Sequence, residues 1–143
     1  MRLLVRLNLL FVAVLLLHTA DHVVRQDRHT PSELGFVGLA GLAGALLSLG
    51  LALGRHERAP LAAATVGLLS GVGVLAVHLA PHWSPLSDPY PGLGLDAASW
   101  ASMLGAVAAG LALALAGTRE LLRHGDGGGE PGGMRLREPA RQA

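Results

Sequence analysis

Three stretches of this chain, Leu34–Gly54, Ala59–Ala80 and Ala97–Thr118, each run for about twenty residues without a charged side chain. A helix needs roughly 20 apolar residues to cross the hydrocarbon core of a bilayer. Inside lipid every backbone polar group must be satisfied within the structure, so a span of this length is a helix. A fourth stretch, Leu7–Ala20, is shorter and has Asn8 as its one amide. Arg2 and Arg6 can snorkel to the headgroups and carry this span back to Leu3. The expected fold is therefore all-α, a bundle of four transmembrane helices at about residues 3–20, 34–54, 59–80 and 97–118.

The first span also has the charged start and apolar run of a secretory signal peptide. A cut after Ala20 would place His18 where a small residue is required. The span is expected to be retained as a helix.

The composition agrees with a lipid environment. Apolar residues make up 51% of the chain but aromatic ones only 3%, so Leu, Ala, Val and Gly carry the packing. There is no Cys, which excludes disulfides, thiolate catalysis and thiolate metal ligands. The formal charge of +1 gives no pull toward nucleic acid. All eleven basic residues are Arg, as in GC-rich bacterial genomes.

The span ends carry local signals. Thr30-Pro31-Ser32-Glu33 reads as a capping box before the second span. Pro60 opens the third, and Asp96 can cap the fourth. Arg55–Arg58 is a short turn, so spans two and three form an antiparallel hairpin. From Gly125 to the end the chain is Gly-rich with mixed charges, and a disordered cytoplasmic tail is expected over 125–143.

Arginine placement gives a direction. Arg2, Arg6, Arg55, Arg58, Arg119, Arg123, Arg135, Arg137 and Arg141 fall on one side of a four-span topology, and only Arg25 and Arg28 on the other. The positive-inside rule puts both termini in the cytoplasm, in a protein of the cell membrane. Trp83, Tyr90 and Trp100 then lie near the outer interface.

Small residues mark close packing. Gly67 and Gly71 form a GxxxG pair, and Gly35, Gly38, Gly41 and Gly44 repeat along span two. Ala98, Ser102, Ala106, Gly110 and Ala114 form a stripe on span four. Such faces let helix backbones approach within the bundle, or in a homo-oligomer or larger membrane complex.

The arginine-derived topology also brings two histidine pairs to one face. His18 and His22 end span one, and His78 and His82 end span three, each pair four residues apart. On span one His18, Asp21, His22 and Arg25 share one helix face. Three chemistries use such an arrangement. One is a metal site for zinc, copper or iron, with His18, Asp21, His22, His78 and His82 as candidate ligands. Another is b-type haem held between His18 and His78. The third is proton transfer. Against all three stands the reading of interfacial histidines that reach water, with Asp21 and Arg25 simply paired. Pro81 biases Ala80 away from helical geometry, which leaves the placement of His82 relative to His78 less fixed than that of the first pair.

His29, His56 and His124 are expected in solvated loops or the tail, the last two on the inner side. The proline-rich loop Pro81–Asp96 is expected to be a connector, with a lid that adds a carboxylate as the alternative. No phosphate-binding loop or nucleophile elbow is present, and no catalytic residue is identified. Besides a histidine-lined site, the sequence leaves open an accessory subunit acting by helix packing, and an oligomeric small transporter without a mid-span carboxylate.

Overall fold

The computed structural model describes the backbone of residues 1–26 and 32–126, and the side chains of 1–26 and 35–123. Four helices make up the bundle: α1 (Arg2–Arg25), α2 (Ser32–Leu53), α3 (Ala59–Leu79) and α4 (Ala97–Asp126). A short 3-10 turn, Tyr90–Gly92, precedes α4, and there is no strand among the described residues. All four helices are long and apolar enough to cross a membrane, so this is a multi-pass membrane protein. Leu17, Val24, Phe36, Leu47 and Leu69 lie on its exposed surface, an apolar girdle suited to lipid.

Two helices run further than their apolar stretches. α1 continues past Ala20 to Arg25, because Asp21 and His22 are held by protein partners rather than left to water. α4 continues past Thr118, where good helix formers take over and Arg123 sits 3.8 Å from Glu120 one turn back. The side chains expected to form the capping box at Thr30-Pro31-Ser32-Glu33 lie outside the described residues. So do His29, the side chain of His124 and the tail beyond Asp126, whose expected start at Gly125 is still helical.

The helices are arranged in a ring. α3 packs most extensively on α4, α1 packs on α4 and α2, and α2 packs on α3. α1 and α3 face each other across the diagonal and meet over a short stretch only. The N-terminal ammonium group lies 3.5 Å from Glu120, so α1 begins where α4 ends. The α2–α3 turn shares that arginine-bearing end.

Small residues decide the α3–α4 seam. A Cβ added to Gly67 would lie 2.5 Å from the Gly110 carbonyl oxygen, and one on Gly117 would lie 2.5 Å from the Ala64 nitrogen. The GxxxG face of α3 thus lies directly against the small-residue stripe of α4. The glycine row of α2 behaves differently. Among the described residues, positions 35, 38 and 41 have no atom within 4 Å of an added Cβ, and Gly44 meets only Val66 at 3.5 Å. That row was expected to pack a helix closely; among the described residues most of it faces open space.

The helix ends follow local chemistry. Pro60 sits in the first turn of α3. Asp96 caps α4, its Oδ1 accepting from the amides of Ala98 at 3.1 Å and Ser99 at 3.0 Å. At the α2–α3 turn Arg55 takes a left-handed φ of 52°, and the amide of His56 returns to the Leu51 carbonyl at 2.9 Å. His56 then accepts the amide of Arg58 on Nδ1 at 3.1 Å, which makes it a turn residue.

The loop after α3 is more than a connector. Ala80 is extended, as the following proline requires. The chain then folds back onto the end of α3. The Asp88 amide donates to the Val77 carbonyl at 3.0 Å, and the Trp83 indole N–H to the Ala76 carbonyl at 3.1 Å. Two carbonyls left over by the helix end are satisfied in this way. Ser87, Asp88 and Tyr90 are buried as a result.

Candidate functional site

His18 and His22 project from the last turns of α1, and His78 from the last turn of α3. The diagonal contact between these helices brings the three rings together at the end of the bundle opposite the α2–α3 turn. Ring centres are 4.7 Å apart for His18 and His22, 5.3 Å for His18 and His78, and 5.1 Å for His22 and His78. His22 stacks on His78 while His18 stands edge-on to both. One ring nitrogen from each lies within 4.8 Å of the others. His18 and His78 are buried, at 5% and 2% exposure.

Hydrogen bonds orient two of the rings. The Ser102 hydroxyl donates to the Ser99 carbonyl at 2.9 Å, so its oxygen accepts Nδ1–H of His18 at 3.4 Å. His78 donates Nδ1–H to the Asp88 carbonyl at 3.1 Å. A neutral imidazole with its proton on Nδ1 carries its lone pair on Nε2. Both rings therefore offer Nε2 as a ligand, with the second nitrogen engaged by an oxygen, as is usual for metal-bound histidines. His22 has Nδ1 4.0 Å from the Asp88 carboxylate and Nε2 3.5 Å from the Tyr90 hydroxyl. Either nitrogen can be the third ligand while the other keeps its oxygen neighbour.

A buried polar network backs the trio. The Gln26 amide donates to Tyr90 Oη at 3.1 Å and also to Asp21. Asp21 accepts the Ser99 hydroxyl at 3.1 Å and pairs with Arg25 at 3.2 Å, and Arg25 reaches on to Asp96. Burial pushes the Tyr90 hydroxyl up to about 12; nearby Asp21 and Asp88 add to the shift, against the Gln26 hydrogen bond. Tyr90 is thus a neutral phenol that can donate. Trp100 stands edge-on to it with ring centres 5.5 Å apart.

Of the five residues expected at a metal site, the structure brings His18, His22 and His78 together. Asp21 is buried beside them but is taken up by Ser99, Arg25 and Gln26. His82 is exposed beyond Pro81 and stands apart from the trio. The loop supplies Asp88 and Tyr90 instead. Their signal in the sequence was Ser87-Asp88-Pro89-Tyr90, a polar run stiffened by proline nine residues beyond His78. Ser102 reads in the sequence as a packing or back-bonding residue, and it does back-bond to Ser99, but its contact with His18 has no local signal, and neither has Gln26.

An elongated cavity of about 800 Å³ lies between α1, α2 and α3, with the three histidines in its wall. No known protein family, curated protein or solved structure matches this chain.

Proposed function

We propose that this membrane protein holds a transition-metal ion at His18, His22 and His78. The observation that carries the reading is the convergence of three ring nitrogens within 4.8 Å. Nitrogens around a tetrahedral zinc ion sit about 3.3 Å apart, given zinc–nitrogen bonds of 2.0–2.1 Å. Small ring tilts close that gap. Imidazole suits zinc, copper and iron, and three neutral ligands leave the ion positively charged with a position open. Asp21, fully engaged by its own partners, supports the site by anchoring Ser99 and Gln26 rather than by ligating.

The geometry favours an ion over haem. A macrocycle between His18 and His78 would have to pass where His22 already stands, 4.7 Å and 5.1 Å from their ring centres. Metal content of the protein purified in lipid nanodiscs tests the reading. About one equivalent of zinc or copper is expected, lost in His18→Ala and in His78→Ala. A protein that stays metal-free after exposure to both ions, or shows a haem spectrum, would sink it.

The arginine distribution supports an outward-facing centre in the cell membrane, with both termini cytoplasmic. The chain lacks Cys, so single cysteines can report sidedness. An impermeant thiol reagent added to intact cells should label Trp83→Cys and spare Glu57→Cys. The reverse pattern overturns the orientation.

A further inference from the structure

The cavity beside the histidines is shaped for a chain rather than a compact ligand. Its wall runs along α3 from Val66 to His78, about 18 Å at 1.5 Å per residue. A volume of about 800 Å³ is within the range of ligand pockets. One end is polar: His18 and His78 are buried, line the cavity, and have no described hydrogen-bond partner on Nε2. The rest is lined mainly by apolar side chains and by the glycines of α2. Glycine is costly inside a helix. At Gly67 and Gly71 of α3 it is explained by contact with α4, but at Gly38 and Gly41 no described protein atom takes the space. Those two glycines keep the cavity wide.

The occupant's head group follows from charge. Arg25 turns to Asp21 and Asp96 and is not part of the cavity wall. Among the described residues, an ion held by three neutral imidazoles is then the one positive centre in the wall at the polar end. We propose that the cavity binds a single-chain lipid whose carboxylate fills the open position on the ion, a fatty acid entering from the bilayer. This rests on the metal reading.

Cobalt(II) is the probe, because its visible bands report both occupancy and ligand exchange. The full chain in phosphatidylcholine nanodiscs is loaded with cobalt and titrated with palmitate. Loading should give tetrahedral bands, and palmitate should shift them with saturation at one equivalent per protein. Acetate at the same concentration should leave them unchanged. Gly41→Leu should fold, since its side chain enters open space, and should keep the cobalt bands but lose the palmitate shift. Absence of cobalt bands in the native sequence defeats the metal reading, and this inference with it. Cobalt bands that palmitate does not move, that acetate moves equally, or that still shift in Gly41→Leu defeat the lipid inference alone.

Discussion

Gly67→Ala is the sharpest test of how the bundle is held together. The new methyl would lie 2.5 Å from the Gly110 carbonyl oxygen and 2.6 Å from the Ala114 nitrogen. Both are backbone atoms and neither can rotate away. Ordinary contact begins at 3.4 Å, so α3 and α4 must part by about 0.9 Å. Helices are stiff, so the gap spreads along the seam to Gly71 and Gly117. A gap of roughly 0.5–1 Å forfeits a quarter to a half of each dispersion contact it opens. Overpacking of this kind costs about 1–3 kcal/mol. The helix preference of Ala over Gly returns at most about 1 kcal/mol, and less in a micelle, where helices persist after tertiary unfolding. A net destabilisation of about 1–2 kcal/mol is expected. The paired control is Gly41→Ala, whose methyl meets nothing within 4 Å; it should be neutral or stabilising by up to about 1 kcal/mol. Denaturant titration in mixed micelles, followed by Trp83 and Trp100 fluorescence, measures both. The displacement also carries His78 away from the His18 that Ser102 orients, so metal affinity should fall in Gly67→Ala and not in Gly41→Ala. If the two variants change stability equally, or Gly67→Ala is as stable as the native chain, direct backbone contact is not what joins α3 to α4.

Two further perturbations have signs set by local chemistry. Arg55 occupies a left-handed position that a side chain disfavours, so Arg55→Gly should stabilise the protein by about 1 kcal/mol in the same titration; destabilisation would mean that its side chain contributes more than its backbone strain costs. The chain has one tyrosine, so tyrosinate absorbance reports Tyr90 alone: the midpoint should lie near 12 in the folded protein and near 10 after denaturation. Because the unfolded chain loses this proton first, stability should fall as pH rises from about 10 to about 12 and then level off. Tyr90→Phe should remove that part of the alkaline loss, and a folded midpoint near 10 would show that the hydroxyl reaches water.

The amino-acid sequence determined the features that depend on neighbours along the chain. Span length is matched to bilayer thickness, so three helices were legible from uncharged runs alone, and the first once Arg2 and Arg6 were allowed to snorkel. Pro60, Asp96 and the Ala80-Pro81 step act on adjacent peptide groups, and each marks the helix boundary it was read to mark. Four residues make a helical turn, so the pairing of His18 with His22 was also local. Counting spans placed His78 on the same membrane face as that pair.

The tertiary structure decided what depends on distant segments. Two glycine rows looked alike in sequence, yet the α3 row is in backbone contact while most of the α2 row borders a cavity. Helical spacing says which residues share a face but not what that face meets. His82 fell away and Asp88 and Tyr90 arrived, because a loop folded back to satisfy carbonyls at the end of α3. The proton positions on His18 and His78 depend on Ser102 and on the Asp88 carbonyl, one of them eighty-four residues away along the chain. Four spans were written in single stretches of sequence; the histidine centre exists only where α1, α3, α4 and the loop after α3 converge.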